Sequence, residues 1–121
     1  MNETTTQPTG TSFDALHALH RATTKALKEL PLDLSQRQLA ILLTVYMGPP
    51  PHTVSSLARQ LGISKPAICR ALDMLSRHDL IRRRKDEQDR RIVYLTRTVQ
   101  GSVFLRDLGD IYADAAHAHA A

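Results

Sequence analysis

The chain of 121 residues has one cysteine, Cys69, no tryptophan, two phenylalanines, three tyrosines and only five glycines. A lone cysteine excludes an intramolecular disulfide framework and suits a reducing compartment. With aromatics at 4% and hydrophobic residues at 42%, the composition disfavours an aromatic-rich β-sandwich and favours helices packed through Leu, Ile, Val and Ala. No apolar run approaches the roughly twenty residues needed to cross a bilayer, and the Thr-rich start has no signal-peptide apolar stretch. The sequence therefore predicts a cytoplasmic protein with no membrane partner. The glycines are too scattered to form a phosphate-cradling loop, and there is no nucleophile elbow or metal-hydrolase motif, so no enzymatic activity and no cofactor are expected. His17 with His20, and His117 with His119, lack converging Cys or carboxylate ligands at a recognised spacing, so no metal site is expected either.

What is present is cationic and concentrated. Sixteen Lys and Arg against twelve Asp and Glu leave a net charge of +4. Between Arg82 and Arg91 there are six basic and three acidic side chains, whereas Asp107, Asp110 and Asp114 make the C-terminal region acidic. A local positive excess of this kind is what contact with a polyanion requires.

Residues 1–11 are polar and have nothing to bury, so they are expected to be a disordered tail, followed by one domain over residues 12–121. From Ser12 to Leu30, Phe13, Leu16, Leu19, Leu27 and Leu30 recur at near-helical spacing until Pro31. Ser35 with Gln38 forms a capping box for a second helix, with Leu39, Leu42, Leu43 and Tyr46 as its stripe and Ile41 and Val45 widening it. Gly48-Pro49-Pro50-Pro51 is a loop. Thr53 caps a short helix carrying Leu57, Ala58 and Leu61, and Gly62 ends it. Ser64 caps the next, where Pro66 falls in the first turn and Ile68, Leu72 and Leu75 form the buried stripe. Two strands follow, Leu80 to Arg84 and Arg91 to Leu95, then a helix capped by Thr96 or Thr98 with Phe104, Leu108, Ile111 and Ala115 as its stripe. The expected class is mainly α with a small β-hairpin.

Ala58, Gly62 and Ile68 have the spacing of a helix-turn-helix: a small residue at a close approach, a glycine in the turn and a branched anchor on the second helix. The outward face of that second helix carries Ser64, Lys65, Pro66, Cys69, Arg70, Asp73 and Arg77. Lys65 and Arg70 suit guanine edges or phosphates, and the first-turn N–H groups suit a phosphate. A plain helical hairpin would show the same three residues. The hairpin tip decides between them, because Arg82-Arg83-Arg84-Lys85-Asp86-Glu87-Gln88-Asp89-Arg90-Arg91 places long cations where a solvated turn needs only Asn, Gly or Asp. Acidic neighbours can hold those guanidiniums in planar pairs, and an aimed arginine suits a narrow minor groove.

Leu57-Ala58, Gly62 to Ile68, Arg70-Ala71-Leu72-Asp73, Leu80-Ile81 and Asp86-Glu87-Gln88-Asp89-Arg90-Arg91 together resemble the winged helix-turn-helix of the MarR family of transcriptional regulators. The resemblance extends more weakly back to about Phe13. It implies a recognition helix from Ser64 to Arg77 in the major groove, and Arg90 at the wing tip in the minor groove with Asp89 and Arg91 bracing it. It also implies a homodimer, often a repressor, on a pseudo-palindromic operator. Three departures are visible: Gln88 stands where Arg is common, Cys69 where Ser or Thr is frequent, and Gly101 to about Ala116 provides one terminal helix where the family has two. A shortened dimerisation region is therefore expected.

The residues expected to contact DNA are Ser55, Ser56, Ser64, Lys65, Pro66, Cys69, Arg70, Arg77, Arg84, Lys85, Arg90 and Arg91, with Asp86 and Asp89 bracing the wing. Phe13, Leu16, Leu19, Phe104, Leu108, Ile111 and Tyr112 are the expected dimer surface. The expected partners are double-stranded DNA and a second copy of the chain, in a nucleoid-associated cytoplasmic protein. No residue pattern specifies a small-molecule effector, and Cys69 has no second cysteine to resolve an oxidised form. The alternative is a winged-helix module that binds another regulator and has little DNA affinity of its own.

Overall fold

The computed structural model describes residues 10–120, with side chains as far as His117. The elements run α1 (Gly10–Glu29), α2 (Gln36–Met47), α3 (Val54–Leu61), α4 (Lys65–Arg77), β1 (Ile81–Lys85), β2 (Val93–Arg97) and α5 (Val99–Ala120). Of the expected tail, residues 1–9 lie outside the described residues, while Gly10 and Thr11 are already helical. The chain divides into two compact units, Leu34–Phe104 and a second one made of the segments on either side of it.

Local chemistry starts each helix of the larger unit. Ser35 and Gln38 close a reciprocal capping box, with Gln38 N–H donating to Ser35 Oγ at 3.1 Å and Ser35 N–H to Gln38 Oε1 at 2.9 Å. Thr53 and Ser56 do the same for α3. Gly62 then adopts a left-handed conformation with φ 64° and ψ 34°, and its N–H donates to Ala58 O, a turn that any Cβ would strain. Ser64 caps α4 by accepting from Ala67 N–H, with Pro66 in the first turn.

The core of this unit gathers Ile41, Leu42, Val45, Leu57, Ile68, Leu72, Leu75, Leu80, Ile81 and Leu95. The stripe of α4 is as expected. That of α2 is rotated, because Ile41 and Val45 are buried while Leu43 is exposed. β1 and β2 pair antiparallel, with Arg83 opposite Leu95 and Arg84 opposite Tyr94, and Thr53 adds an isolated bridge to Tyr94. Both strands start later than expected, for definable reasons. Leu80 N–H donates to Leu75 O at 2.9 Å and so still belongs to the helix ending. Ile92 N–H donates to Asp89 O at 3.0 Å, which places Arg91 and Ile92 in the turn.

Tyr46 joins four of these pieces. Its hydroxyl donates to Leu80 O at 2.7 Å and accepts from Thr98 N–H at 2.9 Å. Thr98 Oγ1 donates to Asp79 O at 2.6 Å and accepts from Gly101 N–H at 2.9 Å, which makes Thr98 rather than Thr96 the cap of α5. Thr96 is instead part of β2. Gly101 packs so closely that a Cβ there would overlap the Tyr46 hydroxyl and the Leu80 carbonyl.

In the smaller unit, Ala22, Ile111 and Ala115 are buried together, with Ala26 and Leu30 against them. The side of α1 that is covered is thus its alanine side. Phe13, Leu16, Leu19 and Leu27 are exposed.

Tyr46→Phe should lower the free energy of unfolding by about 1–3 kcal/mol, since it leaves a half-buried N–H and carbonyl without their partner. Gly101→Ala should cost about as much through overpacking. Urea titrations should show the double variant less destabilised than the sum of the two, because removing the hydroxyl relieves one overlap while that with the Leu80 carbonyl remains.

Candidate nucleic-acid interface

The amphipathic pattern of α4 divides it cleanly. Ala67, Ile68, Ala71, Leu72 and Leu75 are buried, while Ser64, Lys65, Pro66, Cys69, Arg70, Asp73 and Arg77 are exposed on the other side. Gly62 and the Ser64 cap fix where this face begins. Lys65, Arg70 and Arg77 have no hydrogen-bonding or ionic partner among the described residues. On α3, Ser55 is exposed, whereas Ser56 Oγ donates to Thr53 O at 3.0 Å while accepting from Thr53 N–H. Of the two serines, only Ser55 keeps its hydroxyl outside the cap.

The hairpin sorts the cationic run by strand alternation. Arg83 crosses to α4, with Nη2 2.8 Å from Asp73 Oδ1 and 3.4 Å from Cys69 O. Arg84 points to the other strand face and stacks over the ring of its cross-strand partner Tyr94 at 5.3 Å, a cation–π contact. Arg82 lies 3.8 Å from Asp79 Oδ1. Arg97 donates from Nε to Val45 O at 3.2 Å and sits over the Tyr46 ring. Lys85 and Arg90 are exposed and unpartnered among the described residues.

The two acidic residues of the wing act differently. Asp86 Oδ2 accepts the backbone N–H groups of Gln88 at 3.0 Å and Asp89 at 2.8 Å, which organises the turn rather than a guanidinium. Asp89 takes Arg91 in a two-pronged pair, with Nε on Oδ1 and Nη2 on Oδ2, each at 3.0 Å. It also accepts the Arg91 N–H. The Arg91 side-chain contacts, and after them its backbone N–H, hold the Asp89 carboxyl below the usual aspartate range, and the same pair raises Arg91. Arg91 is therefore committed to the turn, and Arg90 beside it is exposed without a partner among the described residues.

Sequence reasoning missed the engagement of Arg83 with Asp73 and of Arg84 with Tyr94. The signal was available in principle, since period-two alternation from buried Ile81 places Arg83 on the α4 side and Arg84 on the other. Of the expected dimer residues, Phe104 and Ile111 are buried within the protomer at 6% exposure each and Leu108 is half-buried, while Phe13, Leu16, Leu19 and Tyr112 are exposed. Cys69 is exposed on α4.

A helix-turn-helix followed by a two-stranded wing defines a winged-helix protein. The model of the MarR family matches residues 34–93, and through this lobe the chain belongs to the MarR family of winged-helix transcriptional regulators. Solved structures share the fold. A MepR variant from S. aureus bound to an oligodeoxyribonucleotide is 23% identical with a TM-score of 0.73, over 84% of this chain and 72% of that one. The transcriptional regulator Tm0710 from Thermotoga maritima is 20% identical with a TM-score of 0.69, over 83% and 68%. The transcriptional repressor CouR bound to a DNA duplex is 24% identical with a TM-score of 0.69, over 85% and 70%.

The Asp89 pair makes a directional prediction. A carboxylate whose folded pKa is depressed contributes above its unfolded pKa and loses that contribution as pH falls through the folded value. The wing turn should therefore loosen only in acid, below the ordinary aspartate range. Carboxyl-carbon NMR should give Asp89 a midpoint below that of an unpaired aspartate, and Arg91→Ala should raise it.

Proposed function

We propose that this chain is a sequence-specific, double-stranded-DNA-binding transcriptional regulator and not an enzyme, with α4 in the major groove and the wing in the minor groove. The observation that carries the reading is the division of the cations. Lys65, Arg70 and Arg77 on α4 and Lys85 and Arg90 on the wing are exposed and free of partners among the described residues. Arg83, Arg84, Arg91 and Arg97 are engaged in holding the lobe together. Free charge in two patches, one on a groove-sized helix and one on a hairpin, is what phosphate and groove contact needs. The DNA carried by the S. aureus MepR and CouR structures supports the same use of the lobe. Ser55, Ser64, Pro66 and Cys69 complete the proposed contact face, with Arg84 and Arg91 beside it and Asp86 and Asp89 shaping the turn.

The reading includes a homodimer acting in the cytoplasm as a repressor, with residues 12–121 working as one domain. Exposed Phe13, Leu16, Leu19 and Tyr112 supply apolar surface for a second copy. Among the described residues, no helix is long and apolar enough to cross a membrane. A two-fold dimer presents two recognition helices to major grooves about 34 Å apart.

Two measurements test this. In fluorescence-anisotropy titrations of duplex DNA, log affinity should fall steeply with log salt, and Arg90→Ala should reduce the slope by about 0.9 per protomer. Flat salt dependence for the parent chain would favour the alternative, a module that binds another regulator. In sedimentation equilibrium, Leu16→Glu with Leu19→Glu should shift a dimer to monomer while the far-UV spectrum stays the same, since both side chains are exposed in the protomer.

A further inference from the structure

Asp73 is the one carboxylate in α4, and it lies on the exposed face among Lys65, Arg70 and Arg77. Arg83 reaches it from β1 at 2.8 Å and also touches the carbonyl of Cys69, one turn earlier on the same face, at 3.4 Å. Among the described residues, this is the one polar link between the hairpin and α4. The side chains are 37% and 57% exposed, and an exposed pair of this kind contributes little to stability. Its geometry is more telling than its energy. Ile81 and Leu95 anchor the base of the hairpin in the core, and His52 O accepts Leu95 N–H at 2.8 Å on the far side. The reach from the base to the tip, where Arg90 projects, is tied to α4 at Arg83.

We infer that Arg83 is a positioning residue that locks the wing to the recognition helix by bridging Asp73 and the Cys69 carbonyl, so that helix and wing-tip arginine meet DNA at one fixed angle. Both contacts are made by Nη2, whose two N–H bonds are held in the guanidinium plane, a fixed direction that a freely rotating lysine ammonium does not reproduce. The competing account is electrostatic: Arg83 merely neutralises a carboxylate that would repel phosphate. The two accounts differ in outcome. Removing the Asp73 charge abolishes the lock but also removes the repulsion and frees a cation.

The consequence for affinity rests on the DNA-binding reading, but the lock itself can be tested without DNA. In the free full-length protein, residual dipolar couplings of the α4 and hairpin amides should fit one alignment tensor. Arg83→Gln and Arg83→Lys should each require two. A single tensor in Arg83→Gln overturns the inference. With duplex DNA, Arg90→Ala should weaken the parent about tenfold, as loss of a charge-assisted contact does, but less than threefold in the Asp73→Asn background. An undiminished tenfold effect, or simple tightening by Asp73→Asn with Arg90 contributing as before, assigns Arg83 to charge neutralisation and overturns the lock. If the parent binds no duplex at all, the DNA-binding reading fails, and the alignment tensors alone still decide whether the lock exists.

Discussion

The hydroxyl of Tyr46 is the point on which the winged-helix lobe turns. It donates to the carbonyl of Leu80, where α4 has ended and β1 is about to begin, and accepts from the amide of Thr98, where β2 has ended and α5 is about to begin. These are the two ends of the wing. One oxygen on α2 therefore fixes both feet of the hairpin against the body of the lobe. Thr98 extends the network by capping α5 through Gly101 and binding the carbonyl of Asp79. Buried backbone groups must find partners, and here they find them in one place. The absence of a side chain at Gly101 is the steric condition for that convergence.

Local signals carried much of the fold. Ser35, Thr53, Ser64 and Gly62 act within three or four residues of themselves, and their caps and turn are found where the sequence puts them. The same is true of the α4 stripe. Features that depend on distant partners were harder to read. Nothing near Leu80 reveals that its amide closes the preceding helix, and nothing near Leu16 or Leu19 reveals that Ala22 and Ala26 take the covered side of α1. Tyr46 read as one more apolar position of α2, because its polar partners lie more than thirty residues away in sequence.

The charged run shows the same limit at finer grain. In the sequence, six cations between Arg82 and Arg91 form one positive patch, within which the family resemblance singles out only Arg90 and Arg91. Strand alternation and the turn make them unequal: Arg82 lies by Asp79, Arg83 is drawn to α4, Arg84 to an aromatic face and Arg91 to a carboxylate, leaving Lys85 and Arg90. The motif identified the family correctly, while the division of labour within it needed the pairing of the strands.

The corner between α4 and the wing has one further property. Asp79 has a positive φ of 57°, a conformation that costs residues other than glycine about 1–2 kcal/mol. A glycine would relieve that cost, but it would also widen the range of backbone shapes open to the corner. With aspartate there, fewer backbone shapes are open to the corner than with glycine. Chain stereochemistry thus narrows the play in the hairpin that a side-chain tie to α4 has to take up.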